Sequence, residues 1–539
     1  MTLGLRLLLV AAAGFLIAKA HTSAPLLALP CLIPLIVAMQ TPDPDGAAGS
    51  LKRSIALGAL AYLLAGAHVW GIGQYGWTIY GAGVLYLSLA GALFGALAFP
   101  FLDARLRLVR VLGLCAAWVL AEYTRTLTPY SYPMLLGPCL GDIPLLSQIA
   151  ALAGPWGMDG FVALFSALGA EAVEAHAVPR HPRLAPTRPA RWLAAALATL
   201  TAVALFGALR LSLAGPPGAV DLQGQARDDD AALAHIDRPL RVAMAQGGVP
   251  TWLYRRAGVF ERLQSVIDAN YLGLLDQALD ADRPPDWIIL PESAFGRTIR
   301  AGERGLDQLH GLRDRRLPQG TTLLLGVTAE LKGADPEHPA ATLENALLAI
   351  ERAPDPKAPI DDKPAQGMKI RDVATKRLLV PIAEARFRPA PGWRPLDTPQ
   401  ARAGILICYE SLYPHIAHAL RQAGAEILVV VTNDAGMRWS LAPRVHARLG
   451  RLRAIENGVS LLHAGQAGIT FAVDPYGRAT TEIPLFQRRL ATVAVSSTPV
   501  WTLYSAVGEG WIAIFALLWA LLLALKWRMS ASNTPKDKP

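Results

Sequence analysis

The chain reads as two architectures in one polypeptide: a membrane α-helical part of about eight transmembrane helices and an α/β domain placed before the last of them. Three observations lead there. The composition is 53% hydrophobic and 17% charged, with a mean hydropathy of +0.31. That is too apolar for a wholly soluble protein and too charged for a wholly membrane one. The apolar residues are also unevenly placed: long apolar stretches fill the first 215 residues and another lies near the C-terminus, whereas residues 216–500 read as a soluble domain. Within that domain, strand-like and helix-like segments alternate, the mark of a layered α/β fold.

The membrane segments, in order, are roughly Leu3–Ala20, Ala24–Met39, Ser54–Gly73, Trp77–Leu102, Leu108–Leu127, Pro155–Ala172, Trp192–Leu213 and Trp511–Leu525. Several approach the length of about 20 residues that crosses a bilayer. The second is short and the fifth carries charge. Arg6, the apolar run after it and Ala18-Lys19-Ala20 also fit a cleavable leader. Glu122 and Arg125, spaced to pair on one helix face, and Asp159 read as helix-end residues reaching water at the interface, with a headgroup or substrate path as the alternative.

The connecting loops orient the chain. Lys52 and Arg53, then Arg105, Arg107 and Arg110, then Arg180, Arg183, Arg188 and Arg191, and finally Lys526, Arg528, Lys536 and Lys538 fall on one side. The alternate loops, such as Gly71–Trp77, carry almost no Lys or Arg. The positive-inside rule puts both termini in the cytoplasm and the α/β domain outside. This also accounts for the net charge of +9 without a nucleic-acid partner. The organisation expected is a multi-pass part (1–215), a linker (216–238), an external domain (239–498), a closing helix (499–530) and a cytoplasmic tail (531–539). The irregular stretch Ala214–Pro239 is the linker, and Asp355–Pro364 is an exposed loop.

In the external domain, Leu240–Ala245, Trp287–Leu290, Thr321–Thr328, Asn345–Ile350, Gly404–Ile407, Glu426–Thr432, Gly468–Val473 and Ala491–Val495 read as strands. Gly258–Leu279, Ser411–Ala423 and Leu441–Glu456 read as helices.

The chemistry centres on Gly404–Pro414, GILICYESLYP. A hydrophobic run stops at Cys408, so a thiol stands at a strand-to-helix turn, where the next N–H groups can face an oxyanion. Glu292 follows another apolar strand in IILPESAFG and suits a general base. Lys376 precedes an apolar run in ATKRLLVPIAE, and an ammonium there would stabilise negative charge on a reacting oxygen. Taken singly, each has a bland explanation: a buried structural cysteine, a solvated loop carboxylate, a surface lysine. A nucleophilic cysteine is expected to have a lowered pKa. The four cysteines (Cys31, Cys115, Cys139, Cys408) show no disulfide or metal-like spacing. His446 and His463 have no ligand partners at useful spacing and read as structural or surface residues. No metal or cofactor is implied.

In order, PESAFG, KRLLVPIAE (Lys376–Glu384), ICYES, TNDA (Thr432–Ala435), RVHARLGRLRAIENG and GITFAVDPYGR resemble the nitrilase (carbon-nitrogen hydrolase) superfamily, and more narrowly its membrane branch, the apolipoprotein N-acyltransferase family. The resemblance implies an αββα sandwich. It implies Glu292 as base, Lys376 as oxyanion stabiliser and Cys408 as nucleophile, with Glu384, Tyr409 and Glu410 in support. Trp252, in QGGVPTW, matches a family tryptophan with looser spacing. It further implies transfer of an acyl chain from a phospholipid, through a Cys thioester, to the α-amino group of a lipoprotein's diacylglyceryl-cysteine.

The chain departs from the family around the lysine, over Val373–Leu378, at Ile382-Ala383 and at Gly436-Met437-Arg438-Trp439, places that the resemblance puts near the acyl and acceptor sites. The alternatives are a nitrilase-like amidohydrolase, a conjugal-transfer relative with another acceptor, and a scaffold that keeps only the fold.

Overall fold

Strands covered on both faces need no polar alternation, and the central strands of the α/β domain are continuous apolar runs for this reason. The computed structural model describes residues 1–42, 50–66, 77–127, 135–177, 188–222, 233–300, 303–309, 311–312, 314–330, 341–352, 368–381, 383–437 and 440–531. The chain divides into two compact units, Met1–Ser212 with Ala506–Pro539, and Leu213–Ser505.

The second unit contains fourteen strands among its described residues: β1 (Ala219–Asp221), β2 (Pro239–Gln246), β3 (Trp287–Leu290), β4 (Thr298–Arg300), β5 (Thr322–Glu330), β6 (Leu343–Arg352), β7 (Met368–Thr375), β8 (Leu396–Asp397), β9 (Arg402–Ile407), β10 (Ile427–Thr432), β11 (Ser460–Gly465), β12 (Thr470–Val473), β13 (Ala479–Ile483) and β14 (Arg489–Ser496). They form two mixed sheets. The first runs β1-β14-β2-β3-β5-β6-β7 with β4 added beside β5, and the second runs β13-β12-β11-β10-β9-β8.

Alternate residues of each strand separate two cores. Trp287 and Ile289 of β3, Leu324 of β5 and Leu347 of β6 meet Ile405 and Ile407 of β9 and Val429 and Val431 of β10 between the sheets. Ile288, Leu290, Leu323 and Leu325 point the other way, into a core closed by the helix Glu261–Leu279. The helices Pro414–Gln422 and Ala442–Asn457 lie against the second sheet, next to β9 and β11. The result is the αββα sandwich.

Several boundaries differ from the sequence reading. Ala219–Asp221, inside the stretch read as a linker, is an edge strand on β14; three residues are too few for a pattern to show. The expected helix Gly258–Leu279 begins at Glu261, and a separate short helix, Thr251–Ala257, precedes it. The helix expected over Ser411–Ala423 is a 3-10 turn, Cys408–Leu412, followed by an α-helix that starts at Pro414. Proline fits the first helical turn, where its missing N–H costs nothing. Asp355–Pro364 lies outside the described residues.

In the first unit, five helices among the described residues are long and apolar enough to cross a membrane: Leu3–Thr22, Trp77–Phe101, Ala150–His176, Pro189–Leu213 and Gly510–Ser530. Of the other expected spans, Pro25–Gln40 is a shorter apolar segment and Arg107–Thr126 carries charge; Ser54–Gly73 is helical over Leu51–Ala65, and its last residues, 67–73, lie outside the described residues. Ala150–Ala177 breaks at Ala153 and Gly154, so its continuous part begins at Pro155. The loop Gly71–Trp77 lies outside the described residues except for Trp77.

Glu122, Arg125 and Asp159 do not reach water, as expected from their sequence positions, but are buried within the protein. Glu122, Arg125 and Asp159 are at most 2% exposed. Glu122 pairs with Arg125 at 3.0 Å and accepts the Tyr62 hydroxyl at 2.6 Å, while Asp159 accepts the Gly137 N–H at 2.7 Å. Arg110, counted as a loop charge, is buried against Glu171 and Glu174, and Arg107 joins them. Burial without such partners would cost several kcal/mol per charge, so pairing is what admits these residues to the interior.

Candidate active site

Four strand ends meet at one edge of the sandwich. β3 ends at Leu290 and Pro291-Glu292 follows; Lys376 follows β7 directly; Cys408 follows β9; and Asn433-Asp434 follows β10. The first two strands belong to one sheet and the last two to the other, so the cluster forms where the sheets abut.

Glu292 is 7% exposed. Its Oε1 accepts from Asn345 Nδ2 at 2.6 Å and its Oε2 from the Asn433 N–H at 2.8 Å. Lys376 is 1% exposed; its Nζ donates to Glu384 Oε1 at 2.8 Å and lies 3.7 Å from Glu292 Oε1. Asn345 Nδ2 also reaches Glu384 Oε1 at 3.3 Å, and Glu384 Oε2 accepts the Val380 N–H at 2.6 Å. Burial by itself would push the Lys376 ammonium down. The carboxylates of Glu292 and Glu384 outweigh burial and hold its pKa above the usual lysine range, so the site keeps a fixed cation between two carboxylates.

Cys408 has φ of +53°, the left-handed region that a residue with a Cβ seldom adopts. Its thiol does not have the lowered pKa expected of a reactive cysteine. Burial pushes the thiol pKa well up and the Glu292 charge pushes it further, with the Lys376 charge opposing. The thiol is therefore held neutral beside a carboxylate that can take its proton.

Glu410 braces the turn. Its Oε1 accepts the N–H groups of Arg377 and Leu378 and the Trp393 indole, and its Oε2 accepts the Ile407 N–H, all within 3.1 Å. One carboxylate thus ties the segment after Lys376 to the strand before Cys408. Tyr409 is buried, its hydroxyl 2.7 Å from that of Tyr413. Trp252 is not drawn in: it is 56% exposed, with the Arg256 guanidinium 5.7 Å from its ring centroid. Its neighbour Tyr254, partly buried, makes the contact instead, donating to the Ala294 carbonyl in the loop after Glu292 at 2.8 Å.

Two residues at the site were not singled out as part of it from sequence. Asn345 appeared only as a strand start, although a carboxamide opening the apolar run NALLAI was a usable signal. His446, read as structural or surface, is 5% exposed, and its Nε2 lies 3.1 Å from the Cys408 carbonyl. His463 is also buried, stacked on Phe471. Ile382, Arg438 and Trp439 lie outside the described residues.

A buried cation between two carboxylates, beside a cysteine at a strand end in an αββα sandwich, defines a domain of the carbon-nitrogen hydrolase class, here in a chain with helices of membrane length. Residues 368–500 match the carbon-nitrogen hydrolase model, and residues 11–168 match the model of the apolipoprotein N-acyltransferase N-terminal domain. The chain is 28% identical to the apolipoprotein N-acyltransferase of Brucella melitensis over 84% of its own length and 79% of that protein. With the enzyme of Azotobacter vinelandii the identity is also 28%, over 82% and 80%. A carbon-nitrogen hydrolase from Helicobacter pylori aligns with 53% of this chain and 94% of its own, at 15% identity and a TM-score of 0.35. Over most of its length the chain is thus similar to apolipoprotein N-acyltransferases.

Proposed function

We propose that the protein is a membrane N-acyltransferase that moves a fatty acyl chain from a phospholipid to the α-amino group of a lipoprotein's N-terminal diacylglyceryl-cysteine, through a thioester on Cys408. The observation that carries this reading is the Glu292–Lys376–Cys408 cluster, in a chain whose other unit is built of apolar helices. A hydrolase of soluble amides has no use for that unit.

Glu292 takes the thiol proton as sulfur attacks the ester carbonyl. The Lys376 ammonium and the N–H groups after Cys408 receive the developing oxyanion, a contribution of about 3–4 kcal/mol per donor in other enzymes. The carbon–oxygen bond breaks, and the departing lysophospholipid alkoxide collects the proton from Glu292. The incoming amine then attacks the thioester and passes its proton to Glu292, and the Cys408 thiolate leaves and is reprotonated. One nucleophile serving two substrates in turn is a ping-pong scheme. Glu384 and Asn345 hold Lys376 and Glu292 at their separation, and Glu410 holds the turn.

The arginine- and lysine-bearing loops support an orientation with the domain after Leu213 on the periplasmic side of the inner membrane. Residues 239–498 would then be the external catalytic domain, and 499–530 would include the closing helix.

The test is mass spectrometry of the Cys408 peptide after incubation of the purified full-length protein with phospholipid and no acceptor. An acyl adduct on Cys408, absent from Cys408→Ala, is expected. An unmodified thiol in a folded protein that still alkylates at Cys408 would defeat the acyltransferase reading in favour of an amidohydrolase.

A further inference from the structure

Behind the nucleophile lies a buried histidine–carboxylate pair. His446 Nδ1 is 3.0 Å from Asp434 Oδ1, and Asp434 Oδ1 also accepts the Thr432 hydroxyl at 2.9 Å. His446 Nε2 is 2.7 Å from Ser411 Oγ and 3.1 Å from the Cys408 carbonyl oxygen, which Ser411 Oγ approaches at 3.0 Å. Each ring nitrogen therefore faces an oxygen without a hydrogen: an ionised carboxylate on one side and a peptide carbonyl on the other. With the single Ser411 hydrogen directed at the Cys408 carbonyl, its oxygen also faces Nε2 as an acceptor, and in that arrangement both ring nitrogens donate. The Ser411 hydroxyl can donate to the Cys408 carbonyl while accepting from His446, which completes the network.

We propose that His446 is held as an imidazolium by Asp434 and acts as the positioning residue for Cys408, clamping the carbonyl of the nucleophile in its left-handed conformation and placing a positive charge behind the forming thiolate. This rests on the reading of Cys408 as the nucleophile. A strained backbone persists only where its surroundings hold it, and at Cys408 the holders on the carbonyl side are His446 and Ser411.

The electrostatics agree. Burial alone would lower the His446 pKa, but Asp434, the Cys408 carbonyl and Glu292 hold it above the ordinary histidine value. The other titratable group facing it, His463 on β11, donates from Nδ1 to the Ile469 carbonyl at 2.8 Å and is pushed down to about 3 by burial and by His446. One ring of the pair is thus charged and the other neutral. Asp434 fits only because residue 468 is glycine: a Cβ there would stand 2.7 Å from Asp434 Oδ2.

The experiment compares full-length wild type, His446→Leu, His446→Gln and Asp434→Asn in detergent micelles, with thermal unfolding as the check on folding. Two rates are followed from about pH 6 to about pH 10: acyl-enzyme formation from phosphatidylethanolamine, and alkylation of Cys408 by iodoacetamide. His446→Leu should lose about 100-fold in the acylation rate at saturating lipid, with the half-saturating lipid concentration unchanged. His446→Gln, which keeps a donor for the Cys408 carbonyl, should recover part of the loss. In Asp434→Asn the imidazolium loses its counter-charge and deprotonates at lower pH, so the ratio of its acylation rate to wild type should fall as pH rises through neutrality. Folded variants with the wild-type rate and pH profile would overturn the proposal, as would a loss expressed only in the half-saturating concentration. If wild type alkylates at Cys408 but never acylates, the acyltransferase reading fails by itself. The clamp is then judged on alkylation, where equal rates in wild type and the folded variants overturn it.

Discussion

Gly326, in the middle of β5, offers a perturbation whose size can be taken from the structure. A Cβ at this position would stand 2.3 Å from the Pro291 carbonyl oxygen, 2.7 Å from its carbon and 2.8 Å from Glu292 Cα, whereas ordinary contact begins at 3.4 Å. The obstacle is backbone, so no rotamer relieves it. The turn carrying Glu292 must retreat by about 1 Å, the difference between 3.4 and 2.3 Å. Glu292 is held by bonds of 2.6 Å to Asn345 and 2.8 Å to the Asn433 N–H, and such a retreat stretches them past hydrogen-bonding distance. Gly326→Ala should therefore cost about 1–3 kcal/mol of stability, as overpacking does. Its larger effect should be on chemistry: about 100-fold slower acyl-enzyme formation, the usual consequence of misplacing a reacting group by that distance. Intact-mass measurement of acyl-enzyme against time at saturating phospholipid reads the rate, and thermal unfolding reads the fold. A variant that acylates at the wild-type rate would refute the argument that this close approach sets the position of Glu292.

Lys376→Met removes the cation between Glu292 and Glu384. Acylation at saturating lipid should fall about 100- to 1000-fold, the range for losing one oxyanion donor, and an unchanged rate would exclude Lys376 from the transition state. Because burial raises the Cys408 thiol pKa, alkylation by iodoacetamide should be slow at neutral pH and still rising above about pH 8.5, where a free thiol is already half ionised. A rate that levels off below neutrality would mean a pre-formed thiolate. A reporter active only outside the cytoplasm should work when fused after Leu213 and be silent when fused after Arg110; the reverse pattern would discard the orientation drawn from the basic loops.

How the site was legible follows from which residues are local signals. WIIL before Pro291-Glu292 and GILI before Cys408 are apolar runs because helices cover one face of each strand and the opposite sheet the other. Such a run stops where the strand leaves the core, so the ends that carry Glu292 and Cys408 could be read directly. β7, which delivers Lys376, could not. Met368–Thr375 lies half exposed on the sheet edge, and Arg371 and Asp372 interrupt its pattern. β11 was lost because its apolar run follows closely on a helix with no turn cluster long enough to separate them.

By itself the sequence determined the division into an apolar helical part and an α/β part, the strands that end in Glu292 and Cys408, and the kinship that Lys376 and Glu384 display in their motif. Burial on one face or both leaves a period along the chain, and a period is readable without coordinates. Only the tertiary structure decided the contacts that turn these residues into a cluster. Asn345 meets Glu292 across 53 positions, the Asn433 N–H meets it across 141, and His446 reaches the Cys408 carbonyl across 38. The same holds for Glu122, Arg125 and Asp159, which look like helix-end charges until packing buries them, and for the Cys408 thiol, whose environment raises rather than lowers its pKa. Partners and desolvation are properties of neighbours brought together by the fold, and no local pattern in the chain records them.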